Sequence, residues 1–161
     1  MKKPLTLFSL CISSYVCAKS PQLQYIKSMY QKSVKLKSRE TNNSPDYYLK
    51  YLDRNLRQIY ARDKKYSEIT ERTACIDHDI LWQSNDFNPK AKLTFTQPNA
   101  AKIKVNIGTT TGSKKHTVAY QVQCKPDNNC QITEIFEHGK PFTKKTTKCT
   151  NDFYRRYIKK H

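Results

Sequence analysis

The apolar residues of this chain change their spacing at Cys75, and that change limits the folds open to it. Before Cys75, Leu23, Ile26, Tyr30 and Val34, then Leu49, Leu52, Leu56 and Ile59, recur every three or four residues. That is the stripe of an amphipathic helix. After Cys75, Ala101, Ile103, Val105 and Ile107 alternate with Lys102, Lys104 and Asn106, and Val118, Tyr120 and Val122 alternate with Ala119, Gln121 and Gln123. Strict alternation marks strands buried on one face only. Helices followed by an antiparallel meander predict an α+β domain with its helices packed on one face of a sheet.

Local signals place the boundaries. Ser20 followed by Pro21 reads as an N-cap with proline in the first helical position. The polar stretch from Lys37 to Asn43 ends that helix, and Ser44, Pro45 and Asp46 are read as starting a second one. Tyr48 and Tyr60 flank its stripe, Lys50, Arg54 and Arg57 point outward, and it is expected to end near Tyr66. Ser67 to Ala74 is read as a short third helix. Strands are expected at Leu93 to Gln97, Ala101 to Ile107, Val118 to Gln123 and Gln131 to Phe136, with a polar turn from Gly108 to Lys115 and breaks at Gly139 and Pro141. A basic C-terminal helix is expected at about 150–160. Phe153, Tyr154, Tyr157 and Ile158 would lie on one side, and Arg155, Arg156, Lys159 and Lys160 opposite.

Residues 1–18 have the pattern of a cleaved secretory signal peptide. Lys2 and Lys3 precede an apolar run from Leu5 to Val16, and Val16 and Ala18 occupy the −3 and −1 positions of a small-residue cleavage site. The run is too short to span a bilayer. Cys17 follows Tyr15 and Val16, a poor context for lipidation, so a soluble mature protein beginning at Lys19 is expected in the bacterial periplasm or outside the cell. Residues 19–161 would then form one domain. Residues 1–18 hold two lysines and no acid, so their removal takes the length from 161 to 143 and the formal charge from +17 to +15. That charge favours anionic partners, although lysine-rich surfaces also serve solubility alone. Lys140 to His161 concentrates it, with eight lysines and arginines against Asp152.

Four cysteines remain in an oxidising compartment, and four allow three pairings. Cys124 and Cys130 enclose Lys125, Pro126, Asp127, Asn128 and Asn129, a turn composition between two strand-like runs. A bridge across that hairpin is the economical choice, and it leaves Cys75 to pair with Cys149. Zinc is the weaker reading, because no Cys-x-x-Cys or His-x₃-His spacing is present.

The order of elements resembles the NTF2-like cone, in which helices line the concave face of a curved sheet. Within it, the chain is similar to the DUF3828 group, a family of bacterial envelope proteins of unknown function. The similarity is carried by Tyr25 to Tyr30, by Tyr51 to Leu56 (YLDRNL), and by Cys75, Ile76, Asp77, His78 and Asp79 followed by Leu81 and Asp86. It continues through the closing strands from Tyr120 to Ile135, with Gly139 and Cys149, and spans roughly residues 22 to 149. Where such domains often carry an Asp-Asp pair on the last strand, this chain has Thr133, Glu134 and Ile135. The resemblance implies a fold and a compartment but no catalytic residues.

Asp77, His78 and Asp79, with Trp82, Asn85 and Asp86 nearby, form the most site-like cluster. A histidine between carboxylates has a raised pKa and suits general acid–base work, alone or with His116 or His138. The plainer reading is a loop whose aspartates cap backbone amides while Trp82 anchors it. The Asp-x-Asp-x₆-Asp spacing lacks the glycine and closing glutamate of an EF-hand loop, which weakens a calcium reading. Trp82, Tyr120 and Phe136, with Phe95, could line a small-molecule cavity in a cone, although strand aromatics more often build cores. The C-terminal helix could lie on an anionic membrane or dock on its own domain. The expected function is a non-catalytic periplasmic or secreted binding domain, such as an immunity or envelope accessory protein, whose partner is a protein or an anionic envelope component. A secreted cationic nuclease or toxin using Asp77, His78 and Asp79 is the alternative, with nucleic acid as its partner. No cofactor motif and no metal set is read from the chain.

Overall fold

The computed structural model describes residues 20–37, 47–83, 89–108 and 115–159. The expected signal peptide, the expected helix start at Ser44 to Asp46, Asn85, Asp86 and Lys160 lie outside these residues. Helix α1 spans Pro21–Lys37, a 3₁₀ turn Leu49–Tyr51, and helix α2 Arg54–Thr70. Strands β1 (Leu93–Asn99), β2 (Lys102–Ile107), β3 (His116–Cys124), β4 (Cys130–Glu137) and β5 (Lys140–Pro141) follow. Helix α3 (Phe142–Phe153) then runs into a π-helical turn, Tyr154–Ile158. The strands form one antiparallel sheet in sequence order, so the class is α+β as expected.

Alternation decides which face of the sheet is covered. Ile103, Val105, Val118, Tyr120, Val122, Ile132 and Ile135 point to one face and are almost completely buried. Register aligns Ile103 with Tyr120 and Tyr120 with Ile135. Ile26, Met29 and Tyr30 of α1 join them in one core, with Leu52, Leu56 and the connector residues Ile80, Leu81 and Trp82. The opposite face carries Thr94, Lys104, Asn106, Thr117 and Gln121, all exposed.

Helix α1 begins as expected, with Ser20 Oγ accepting the Leu23 amide at 3.1 Å. The second helix departs from expectation. Leu52 is extended and bridges Ile132, and the Asp53 amide donates to the Ile132 carbonyl at 2.9 Å. The helix therefore starts at Arg54, with Asp53 as its N-cap accepting from the Leu56 amide at 2.8 Å. It continues through Ser67 to Thr70, so the expected third helix is its last turn, closed by Glu71 at φ 51°. Helix α3 begins earlier than about 150, because its buried side is Phe142, Thr146, Thr150 and Phe153. Two threonines at core positions hid that stripe. Glu134 on β4 supplies the missing cap, accepting from the Thr143 amide at 3.1 Å and from the Thr143 hydroxyl.

The structure pairs Cys75 with Cys149 and Cys124 with Cys130. Both are the expected pairs. The shorter bridge joins facing residues of β3 and β4. The longer one ties the connector after α2 to α3.

Candidate functional site

The connector from Glu71 to Trp82 has no regular structure, so side chains hold it. Asp63 on α2 is 4% exposed and accepts the Cys75 and Ile76 amides at 2.9 and 3.2 Å. Burial raises the Asp63 pKa, against the pull of those two amides. Asp79 Oδ1 accepts the Leu81 and Trp82 amides at 2.9 and 3.2 Å, the amide-capping role open to an aspartate in a loop. His116 Nε2 contacts the Trp82 carbonyl.

His78 is the centre of a charged clasp. Its Nδ1 lies 2.7 Å from Asp77 Oδ1, and its Nε2 lies 3.2 Å from Glu137 Oε1. Glu137 stands at an inward position of β4 and is 3% exposed. It also accepts from Gln83 Nε2 at 3.0 Å and Lys145 Nζ at 2.9 Å. Burial alone would raise the Glu137 carboxyl, but the bonds from His78, Lys145 and Gln83 outweigh it and bring the pKa down to about 2. The bond to Glu137 raises the His78 pKa, burial opposes it, and the bond to Asp77 adds to the rise. Carboxylates on both ring nitrogens favour an imidazolium that donates twice. General acid–base work needs a ring nitrogen turned toward a substrate, and here both nitrogens are turned toward the protein's own carboxylates. Asp77 and His78 are brought together, while Asp79 serves the backbone.

Trp82, Tyr120 and Phe136 are not brought together. Trp82 and Tyr120 are 2% and 0% exposed and sit in the core, with Tyr30 between them at ring distances of 5.3 and 6.3 Å. The Tyr30 hydroxyl donates to the Leu81 carbonyl at 2.7 Å and lies 2.7 Å from the Tyr120 hydroxyl, while Trp82 Nε1 donates to Ser33 Oγ at 2.7 Å. Phe95 packs edge-on to Tyr30 at 5.8 Å. Phe136 is on the outer face, paired with Ala119, with the Lys102 ammonium 4.1 Å from its ring centroid.

The C-terminal segment docks on α2 through aromatic rings. Tyr66 stacks on Phe153 and Tyr154 at 6.4 and 5.8 Å, Phe153 packs on Tyr157 at 4.8 Å, and the Arg72 guanidinium lies over Tyr157. Arg155, Arg156 and Lys159 are exposed, and Arg155 reaches Asp152 at only 4.0 Å.

A second feature is a shallow groove of about 590 Å³ between α2 and α3. Asn55, Ile59 and Arg62 supply one wall, and Thr143, Lys144, Thr147, Lys148 and Asn151 the other. Among the described residues no acidic side chain lines it. Arg62, Lys144 and Lys148 are exposed, and no ion pair is seen for them among the described residues. Sequence reasoning placed basic character at the C terminus but missed this groove. The signal was the Thr-Lys-Lys-Thr-Thr-Lys run from Thr143 to Lys148.

Among the described residues, no group of three or more His, Cys, Asp or Glu side chains is arranged to hold a metal ion. No helix among them is long and apolar enough to cross a membrane. No protein-family model, curated protein or solved structure matches the chain.

Proposed function

We propose that this protein is an exported, non-catalytic binding domain that engages an anionic partner of the cell envelope through its basic helical side. The observation that carries this reading is the set of exposed cations on α2, α3 and the π-helical turn. Arg62, Lys144, Lys148, Arg155, Arg156 and Lys159 face solvent there. Export is supported by the charged and apolar pattern of residues 1–18 and by two disulfides, which persist in oxidising compartments. Membership of the DUF3828 group and an NTF2-like cone belong to the same proposal. Their support is the helix-then-meander order, with helices against the buried face of the sheet.

Co-sedimentation with anionic and with neutral vesicles and glycans, at rising salt, tests the reading. Retention on anionic material that falls steeply with salt is expected, because exposed charge pairs are screened over ~10 Å at 0.1 M ionic strength. Absence of retention on any anionic material refutes it. So does cleavage of RNA or DNA that is lost in His78→Ala.

A further inference from the structure

We infer that the α2–α3 groove is a binding site for an acidic polysaccharide. This rests on the proposed role as a binder of anionic envelope material, and it names the site and the ligand class. Three observations lead to it. Among the described residues the groove is lined by three cations and by no acid, and the nearby Glu134 carboxylate is bonded to Thr143, which leaves an excess of positive charge. Its cations stand beside hydroxyls and amides: Thr143, Thr147 and Asn151 form one row along α3 next to the row of Lys144 and Lys148, Asn55 stands on α2, and the Thr143 hydroxyl is bonded to Glu134. A chain of sugars bearing carboxylate, sulfate or phosphate groups offers both anions for the lysine row and neutral hydroxyls for the threonine and asparagine row. The groove also lacks what other polyanions use. Among the described residues no aromatic ring lines it, whereas single-stranded nucleic acid is held by bases stacked on aromatic platforms. The one apolar side chain among the described residues that line it is Ile59, 7% exposed, which offers no wedge to insert into a lipid layer.

The lysines have other neighbours that bear on the field. Lys148 also borders a second shallow groove on the far side of α3, with Lys145, Arg156, Asp152 and Tyr157. Lys145 is committed to Glu137, and Asp152 faces Arg155. Asp152 stands between Lys148 and Arg156 on that side, so the acid-free surface ends at Lys148.

The test compares binding of fluorescein-labelled dextran sulfate, uncharged dextran and a single-stranded DNA of equal charge to the full chain by anisotropy. The expected result is dextran sulfate binding that exceeds DNA binding at least fivefold, with no binding of uncharged dextran. The variant Arg62→Ala/Lys144→Ala/Lys148→Ala should weaken dextran sulfate binding at least tenfold. The variant Lys92→Ala/Lys104→Ala/Lys125→Ala removes equal charge from exposed positions outside the groove and should change it less than twofold. All six side chains are exposed, and unchanged circular dichroism confirms folding of both variants. Equal weakening by both variants overturns the site, and DNA binding as tight as dextran sulfate binding overturns the ligand class. Tight dextran sulfate binding untouched by the groove variant overturns the groove but leaves the broader reading standing. Absence of binding to either polyanion overturns both.

Discussion

At the scale of single residues, one buried side chain among those described stands out for an unmet polar group. Among the described residues, the Tyr51 hydroxyl is buried without a hydrogen-bond partner. An unpaired buried hydroxyl costs free energy, so removing it is favourable. Tyr51→Phe should raise stability by about 1 kcal/mol in a urea melt, and any loss of stability would show that the hydroxyl is satisfied in solution. The His78 clasp makes the opposite case. Glu137 has its pKa depressed to about 2, so its contribution is present above the ordinary Glu value and is lost as pH falls toward 2. The His78 pKa is raised, so its contribution is present below the ordinary His value and is lost as pH rises through the raised one. Stability should therefore peak on the acidic side of neutrality and decline above it. His78→Gln should flatten the alkaline decline and also shrink the acid limb, because the bond from His78 is the first of those that hold the Glu137 pKa down. Thermal melts from pH 3 to 9 read both limbs. The pairing of His78 with Asp77 could be read from adjacency. Glu137 could not, since it is 59 residues away and the register shift within β4 hides from the sequence which positions face inward.

At the scale of elements, the alternating strands were the most legible part, because period two has few rival explanations. Helix starts were less so. Asp46 and Asp53 are both competent caps in the sequence. The choice of Asp53 is made by Leu52, which pairs with Ile132 on a strand 80 residues later. Asp53→Ala should cost about 1 kcal/mol, read as a lowered denaturation midpoint with an unchanged urea m-value. A loss within error would mean that the backbone bond from Asp53 to Ile132, not the side chain, fixes the start of α2. The first two turns of helix α3 escaped detection for a different reason. Thr146 and Thr150 are fully enclosed, and Thr150 Oγ1 turns back to the Thr146 carbonyl at 3.0 Å. Residues that read as polar thus serve as core.

At the scale of the whole molecule, three ties converge on the connector: Asp63 from α2, Glu137 from β4, and the Cys75–Cys149 bond from α3. The connector is thereby the joint between the helical layer and the sheet. The chain-entropy account gives about 4 kcal/mol for a loop of 74 residues and about 2 kcal/mol for one of 6. Cys75→Ser/Cys149→Ser should therefore destabilise more than Cys124→Ser/Cys130→Ser, measured by urea unfolding under non-reducing conditions. The reverse order would mean that the hairpin bridge holds the β3–β4 register.

The two bridges are also nested, and nesting has a consequence for assembly. In the proposed mature chain from Lys19, which lacks Cys11 and Cys17, delivery from the N-terminal end presents Cys75, then Cys124 and Cys130, and only then Cys149. Two rival thiols thus become available to Cys75 before its native partner. The hairpin removes both at once, because its strands bring Cys124 and Cys130 face to face with five residues of turn between them. The short bridge serves as a protecting group, masking two thiols until the long one can close. Cys124→Ser alone should leave Cys130 unmasked and produce Cys75–Cys130 crosslinks during oxidative refolding. The double variant lacking both hairpin cysteines should oxidise cleanly to Cys75–Cys149, a contrast that non-reducing peptide mapping reads directly.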